Sequence, residues 1–368
     1  MSGSIYGNSF KISTWGESHG AGIGVVIDGC PAGLTINDDM IQTFLNRRKP
    51  GQSKYSTPRK EDDRLQILSG TFEGRTTGTP ISLMIHNENQ RPYDYSDIAS
   101  YYRPGHADYT YDQKYGFRDY RGGARSSGRE TSARVAAGAI ASAILKELGI
   151  SVYAYTKSIG PISIEYSKCK KEFTYQNALN MPDPEAVEKA EAYIEHKMEE
   201  QDSVGGIIEC IVTGMPTGIG QPVFDKLDAA LSHAIMSIGA VKGFEIGDGF
   251  LVADSCGSKN NDSFYYDDKQ NIKKRTNHAG GILGGISDGS EIVLRAAIKP
   301  TASIAKPQHT VNKENENIVV EIQGRHDPII VPRAVVVVEA MVAITLVDQL
   351  FQGMTSRIDK IKEFYNNN

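Results

Sequence analysis

The chain has 368 residues and a formal net charge of −5 at pH 7. A slightly acidic protein has no overall basic field, which argues against a main role in coating nucleic acid or an anionic membrane. Its four cysteines are far apart and form no CxxC pair, so the sequence supports neither a zinc knuckle nor a disulfide framework and favours a reducing, cytoplasmic compartment. Since no segment reads as a linker, we expect one domain over residues 1–368.

Strands and helices alternate along the chain. The first half predicts a strand at GIGVVIDG, a helix at NDDMIQTFLNRR, a turn-rich connection at DDRLQILSGTFEGRTTG, a strand at PISLMIHN and an alanine-rich helix at SSGRETSARVAAGAIASAILKELG. The second half predicts strands at SVYAYTKSIG, SVGGIIECIVTGM, DGFLVADS and SEIVLRAAI, and helices at PEAVEKAEAYIEHKMEEQ, DKLDAALSHAIMSI and residues 334–351. The last of these is too short and too interrupted by charge for a membrane span, and we expect it to be buried.

Caps and turns refine this pattern. Asn37 should cap the first helix, Ser127 and Glu130 should form a capping box on the alanine-rich helix, and Gly149 should end it. The strands carry turn-rich connections, and no GxGxxG opens a helix after a strand. A mixed sheet layered with helices, an α+β fold, is therefore favoured over a doubly wound sheet.

Two clusters of basic residues stand out in this acidic chain. The first, NRRKPGQSKYSTPRKEDDR, has an alternative interpretation as a solvated charged face, because the acids at 61–63 can neutralise it. The second, RDYRGGARSSGRETSAR, straddles the predicted start of the alanine-rich helix, where free N–H groups and the helix dipole favour an anion. Arginine binds phosphate and carboxylate bidentately, so these glycine-rich loops indicate a small polyanionic ligand. The segment AIKPTASIAKP is a weaker candidate of the same kind.

Three side chains are candidates for acid–base chemistry. His19 lies in TWGESHGAG, His106 in YRPGHADYTY and Asp327 in GRHDP. Both histidines stand beside glycine in predicted loops without an apolar periodicity, which favours a functional role over a core position. A metal site that uses His19, His106, Asp108 and Asp327 is the competing interpretation, although no HExxH or HxH motif supports it.

Three longer segments resemble the signature segments of the chorismate synthase family. They are GESHG at 16–20, RPGHADYTYDQKYGFRDYRGGARSSGRETSARVAAGA at 103–139 and GRHDP at 324–328. The similarity continues in the family's order through NRRKPGQS, VKGFEIGDGF, NHAGGILGGISDG and KPTAS, and so covers nearly the whole chain. The resemblance implies a β-α-β sandwich in one large domain, a homotetramer, and an FMN-dependent lyase of the shikimate pathway. Its reaction would be the 1,4-anti elimination of phosphate from 5-enolpyruvylshikimate 3-phosphate to give chorismate, without net redox change.

The resemblance also implies roles for individual residues. His19 would protonate the departing phosphate, His106 would act as an acid toward the reduced flavin, and Asp327 would act as a base near flavin N5. The residues implied for substrate anions, in preference to a nicotinamide cofactor, are Arg48, Lys54, Arg129 and Arg134. Those implied for FMN are Arg125, Ser126, Ser127, Gly239, Ala240, Gly284, Lys299, Pro300, Thr301, Ala302, Ser303 and Arg325. NADPH or an external reductase would supply the reducing equivalents.

Some positions depart from the family pattern or receive a supporting role. Lys54 stands where related sequences often have arginine, which replaces a bidentate clamp by a point charge. His326 adds a third imidazole whose role stays open. Glu17 is expected to orient His19 or its loop through a hydrogen bond, and Ser18 to shape the turn.

Two other classes of protein would use similar residues. A metal-dependent phosphohydrolase would lose its activity with a chelator but not on removal of flavin. A single-strand nucleic-acid binder would combine the arginines with the tyrosines of RPYDYSDIASYYRPGHADYTY, and would show salt-dependent RNA affinity without turnover. The net charge weighs against the second class.

Overall fold

The fold is built on two five-stranded antiparallel sheets, and the computed structural model describes residues 3–57, 61–87, 97–121, 123–322 and 327–366. The first sheet has the order β1-β2-β3-β7-β4. Its strands, with the small hairpin β5–β6 beside them, are β1 (Ile5–Tyr6), β2 (Lys11–Gly16), β3 (Gly22–Asp28), β4 (Leu65–Ser69), β5 (Thr71–Phe72), β6 (Arg75–Thr76) and β7 (Ile81–His86).

The second sheet has the order β11-β16-β10-β8-β9. Its strands and the hairpins between them are β8 (Ser151–Ile159), β9 (Ile162–Ser163), β10 (Gly206–Thr213), β11 (Val241–Ile246), β12 (Phe264–Tyr266), β13 (Ile272–Lys274), β14 (Ile282–Leu283), β15 (Ile286–Ser287), β16 (Ile292–Ile298), β17 (Gln308–Val311) and β18 (Asn317–Val320). Burial alternates residue by residue along β16, because one face of an antiparallel sheet covers the core.

The helices lie between the two sheets or at the surface. They are α1 (Asp38–Arg48), α2 (Asp108–Tyr115), α3 (Thr131–Glu147), α4 (Pro184–Glu199), α5 (Leu227–Met236), α6 (Gly257–Asn260), α7 (Val331–Gly353) and α8 (Ile358–Asn366). Helix α3 packs on β2, β3 and β7 of the first sheet, whereas α7 packs on β8 and β10 of the second. The layers therefore follow the order sheet, helices, sheet, which confirms the expected α+β sandwich. In place of the mixed sheet that was expected, the described residues form two sheets that are both antiparallel.

The two central helices contact each other along their length. A Cβ built on Gly138 of α3 would lie 2.3 Å from Cβ of Ala340 on α7, so only glycine permits this approach. Helix α7 is long and apolar enough to cross a membrane by composition, but 83% of its most apolar window is buried inside the protein. It is thus a core helix, as the sequence predicted.

Several local predictions are confirmed by the structure. Asn37 Oδ1 accepts a hydrogen bond of 2.8 Å from the backbone N–H of Met40 and caps α1. Gly149 has φ +72° and ends α3. The capping box at Ser127 is only half formed: Ser127 Oγ accepts a hydrogen bond from the N–H of Arg129 and starts a short 3-10 turn before α3.

One predicted strand is wrong. The segment DGFLVADS contains a 3-10 helix over Gly249–Asp254 instead. Both Gly247 and Gly249 have positive φ, which breaks an extended chain, and the Phe250 and Leu251 side chains point to solvent. The strand of this region is β11, which precedes the glycines and pairs with β16.

Candidate active site

A cavity of about 590 Å³ opens where the central helices begin. This volume lies within the range of roughly 300–1,000 Å³ that is typical of small-molecule sites. The described residues of its lining include six cationic side chains and two carboxylates. These are Arg48, Arg125, Arg134, Lys242, Lys299 and Arg333, and Glu130 and Asp327. The excess of positive charge favours an anionic ligand.

The backbone adds to this positive charge. Gly128 and Thr131 at the start of α3, and Ile330 and Ala334 at the start of α7, all line the cavity. Because the two helices also pack on each other, they run parallel and direct their N-terminal ends at the same space. Unpaired N–H groups and the helix dipole make each such end favourable for an anion.

His106 lies at one wall of the cavity. Its Nε2 shares a hydrogen bond of 2.7 Å with the hydroxyl of Ser303, a buried side chain. The preceding Gly105 has φ +70°, and a Cβ there would lie 2.9 Å from Cβ of Ala302. The carbonyl of Gly105 also accepts a hydrogen bond of 2.7 Å from Lys299 Nζ. The PGHAD loop and the KPTAS loop are thus held together, and both predicted segments meet at the same site.

Asp327 faces the cavity with both carboxylate oxygens engaged. Oδ1 accepts a hydrogen bond of 2.9 Å from the backbone N–H of Thr57, and Oδ2 accepts one of 2.6 Å from Arg333. A carboxylate held at both oxygens has a fixed orientation.

Asp63 pairs with two of the predicted anion-binding arginines behind the cavity wall. Its Oδ2 accepts hydrogen bonds from Arg48 at 3.2 and 2.5 Å, and its Oδ1 accepts one from Arg129. Burial alone would raise the pKa of this carboxyl, but the charges of Arg48 and Arg129 outweigh burial and lower the pKa below its ordinary value. The acids that the sequence offered as partners of the first basic cluster therefore do neutralise part of it.

Lys242 and Lys299 supply cations of another kind. Neither has an acidic partner within the part of the chain that the structure describes. Partial burial and the neighbouring charge of Lys242 lower the pKa of Lys299. Nearby in the lining, the hydroxyl of Thr301 is buried and has no hydrogen-bond partner among the described residues. This corner presents donors that a bound anion would satisfy.

His19 is buried and does not belong to the described lining of the cavity. Its Nδ1 shares a hydrogen bond of 3.0 Å with Ser18 Oγ, while the main-chain carbonyl of Glu17 accepts a hydrogen bond of 3.2 Å from the N–H of Gly20 in the same loop. Arg125 joins this region to the cavity, because its guanidinium donates to the carbonyl of Gly16 at 3.0 Å and to Thr14 Oγ1 at 2.6 Å.

The cavity brings together most, but not all, of the sequence-predicted residues. In its lining are His106, Asp327, Arg48, Arg134, Arg125, Ser126, Ser127, Gly239, Ala240, Lys299, Pro300, Thr301 and Ala302, with Ser303 bound to His106. Arg129 lies behind the wall and is paired with Asp63.

Lys54 and Gly284, like His19 and Arg129, are absent from the described lining of the cavity. Lys54 is exposed and pairs with Glu195 on α4 at 2.5 Å. Gly284 lies at the exposed turn between β14 and β15 and is absent from the described lining. Arg325, like His326, falls outside the described residues.

Sequence reasoning missed Lys242 and Arg333 as members of the site, and it could not tell which of the acids at 61–63 pairs with which arginine. Lys242 could have been found from the sequence, because it lies in the motif VKGFEIGDGF that carries part of the family resemblance. Among the residues that the structure describes, no group of three or more His, Cys, Asp or Glu side chains could hold a metal ion.

Comparison with known proteins decides what this site belongs to. The chorismate synthase family model matches residues 10–351. The chain is 70% identical to a chorismate synthase of Lachnoclostridium phytofermentans over 99% of this chain and 100% of that one. It is 67% identical to one of Lachnospira eligens, again over 99% and 100%.

The chain belongs to the chorismate synthase family. A crystal structure of a chorismate synthase superposes with a TM-score of 0.77 at 31% identity, over 98% of both chains. Chorismate synthases are lyases that convert 5-enolpyruvylshikimate 3-phosphate to chorismate in the shikimate pathway, and the family uses a reduced flavin. The cationic cavity fits a substrate that carries two carboxylates and a phosphate.

Proposed function

We propose that the cavity holds FMN in its reduced form beside 5-enolpyruvylshikimate 3-phosphate. The buried hydroxyl of Thr301 fits an anionic group such as the flavin phosphate. So do the charges of Lys242 and Lys299, which have no acidic partner in the described part of the chain. The residues proposed to hold the flavin are Arg125, Ser126, Ser127, Gly239, Ala240, Lys299, Pro300, Thr301, Ala302 and Ser303, together with Gly284 and Arg325 from the sequence resemblance. When it is bound, reduced flavin supplies electron density that helps to expel phosphate.

Arginines are proposed to orient the substrate. Arg48 and Arg134 reach the cavity, and Arg129 supports Arg48 through their shared partner Asp63. Lys54 remains a proposed substrate contact from the family pattern, and it would have to leave Glu195 to make it. Fixing the anions of the substrate replaces its hydration shell and sets the geometry of elimination.

Three groups are proposed to move protons. Asp327 acts as the base expected near flavin N5 and helps to take up the proton lost from substrate C6 while the bond from carbon to the phosphate oxygen breaks. From the sequence resemblance, His19 is proposed to protonate the departing phosphate, because a less charged leaving group lowers the barrier. It lies outside the described lining of the cavity, in the loop that Arg125 joins to it. His106 acts as an acid toward the flavin, and its hydrogen bond to Ser303 holds the ring in place. The observation that carries the proposal is the meeting of His106, Asp327 and six cations in one cavity.

An anaerobic assay tests the proposal. The protein, substrate and chemically reduced FMN are mixed without oxygen, and release of inorganic phosphate is followed. We expect turnover that depends on reduced FMN, and its absence would refute the cofactor assignment. The same assay in air with oxidised FMN and NADPH decides whether the chain reduces its own flavin or depends on an external reductase.

The assembly and the cellular location are further parts of the proposal. A homotetramer is supported by large apolar side chains that are exposed in the single chain, such as Phe250, Leu251 and Tyr266, because exposed apolar surface is typical of subunit interfaces. A cytoplasmic location is supported by four free cysteines. One domain over residues 1–368 is supported by the hydrophobic core that joins both sheets in the described part. Light scattering of the purified protein tests the tetramer.

The expected partners are the substrate and cofactor alone, with neither nucleic acid nor a membrane. This proposal rests on the net charge of −5 and on the burial of α7. The salt dependence of binding to single-stranded RNA tests its first part.

A further inference from the structure

Arg333 connects Asp327 to the rigid centre of the fold. Its guanidinium donates to Asp327 Oδ2 at 2.6 Å and, through Nε, to the main-chain carbonyl of Arg48 at 3.1 Å. Arg48 is the last residue of α1, so this second bond satisfies a carbonyl that the helix itself leaves unpaired. One side chain therefore links the carboxylate to the end of α1.

The main chain of Arg333 is fixed as firmly as its side chain. It is the third residue of α7, and both residues before it, Val331 and Pro332, are buried. The side chain of Arg333 is 22% exposed and that of Asp327 is 15% exposed, so the ion pair borders the cavity but is only partly accessible to solvent. The remaining carboxylate oxygen is held by the N–H of Thr57. Rotation of the carboxylate would break at least one of these bonds.

We propose that Arg333 is a positioning residue, which sets the angle at which Asp327 takes a proton from the substrate. The inference rests on the base role proposed above for Asp327. The carboxylate of Asp327 takes up the proton that substrate C6 loses, and Arg333 neither gains nor loses a proton. A displacement of a reacting group by about 1 Å can lower a rate by ~10²-fold, so a freely rotating carboxylate would be a poor base.

A double-mutant cycle tests this role. The proteins compared are the wild type, Arg333→Ala, Asp327→Asn and the variant that carries both changes. We expect Arg333→Ala to lower kcat by up to roughly a hundredfold, with KM for the substrate near the wild-type value. In the Asp327→Asn background the same change should cause no further loss, because the group that it positions is already gone.

Further measurements separate positioning from a general loss of structure. Arg333→Lys keeps the charge, but one ammonium cannot replace a planar fork that spans Asp327 and the Arg48 carbonyl, so kcat should recover only in part. Binding of oxidised FMN, followed by flavin fluorescence, should match the wild type in all variants. Arg357→Ala, which removes an exposed arginine of the C-terminal region paired with Asp359, is the control and should leave kcat unchanged.

Each other outcome has a definite meaning. Losses that add in the double variant, or a raised KM with unchanged kcat, would overturn the inference; the second result would make Arg333 a direct substrate contact. A wild-type rate for Asp327→Asn would instead overturn the proposed base role, and the inference with it. If Arg333→Ala fails to fold, a wild-type rate for Arg333→Lys overturns the inference, and a partial loss that vanishes in the Asp327→Asn background supports it.

Discussion

Replacing Asp63 by alanine should leave two buried cations without their shared counter-ion. The side chain of Asp63 is fully buried, and those of Arg48 and Arg129 are 2% and 4% exposed. Glu61 lies 3.7 Å from Arg129 and can compensate only one of the two. Water could replace the carboxylate as a hydrogen-bond acceptor only by entering the buried space between the two arginines.

The size of the effect follows from this burial. Removing one partner of a buried ion pair costs about 3–5 kcal/mol. Because a folded domain is stable by only about 5–15 kcal/mol, the variant should unfold at a clearly lower urea concentration. Asp62→Ala is the matched control: its side chain is exposed and next in sequence, and the change should stay within about 0.5 kcal/mol.

The stabilisation that Asp63 provides should depend on pH. The arginines lower the pKa of Asp63 in the folded protein below the unfolded value of about 3.9. The stabilisation is therefore present above the unfolded pKa and is lost as the pH falls through the folded pKa. The difference between wild type and Asp63→Ala should be constant near neutral pH and should shrink in acid, below about pH 4.

Urea unfolding at neutral pH, repeated in acid and with added inorganic phosphate, measures these differences. Phosphate should stabilise Asp63→Ala more than the wild type, since an anion that binds between the freed guanidinium groups adds to the free energy of unfolding. Equal urea midpoints for wild type and Asp63→Ala would refute the reasoning. So would a difference in stability that does not change in acid.

Three further variants probe other parts of the fold and site. His106→Ala should lower turnover in the anaerobic phosphate-release assay by roughly 10²–10⁴-fold, and wild-type rates would reject its acid role. Ser303→Ala removes the 2.7 Å hydrogen bond to His106 and should shift the pH profile of kcat. Ser303→Thr keeps a hydroxyl and should restore the wild-type profile. An unshifted profile in the alanine variant would contradict the role of Ser303 in holding His106. Gly138→Val should lower the free energy of unfolding by about 1–3 kcal/mol or more, because the valine side chain would collide with Ala340. Gly257→Ala is the control and should be tolerated, since a Cβ at Gly257 meets nothing within 4 Å. Equal urea midpoints for the two variants would argue against the close helix contact.

Much of the fold was predictable because its signals are local. The cap at Asn37 and the glycine stop at Gly149 each depend on a few neighbouring residues. The burial of α7 follows from its apolar composition. Where glycines of positive φ interrupt an apolar segment, as in DGFLVADS, the same local pattern misled, because a strand also needs a partner and a face to cover.

The site was predictable in its members but not in their pairings. Long motifs identified His106, Asp327 and the KPTAS loop, and the structure brings them to one cavity. The partners are another matter: Arg129 and Asp63 are 66 positions apart, and only the folded chain decides which acid neutralises which arginine. The same is true of Gly284, whose place at an exposed turn no spacing in the sequence could indicate.

These pairings divide the cations of the cavity into two kinds. Arg48 pairs with the carboxylate of Asp63, Arg333 pairs with that of Asp327, and Arg125 and Arg134 both pair with that of Glu130. Their charges are largely compensated and their side chains are fixed by these ion pairs. They therefore keep their positions in the wall of the cavity when a ligand binds. The two lysines of the lining, in contrast, have no acidic partner in the described part of the chain. Affinity for an added anion should therefore come mainly from the lysines and the two helix ends, while the paired arginines determine where that anion lies.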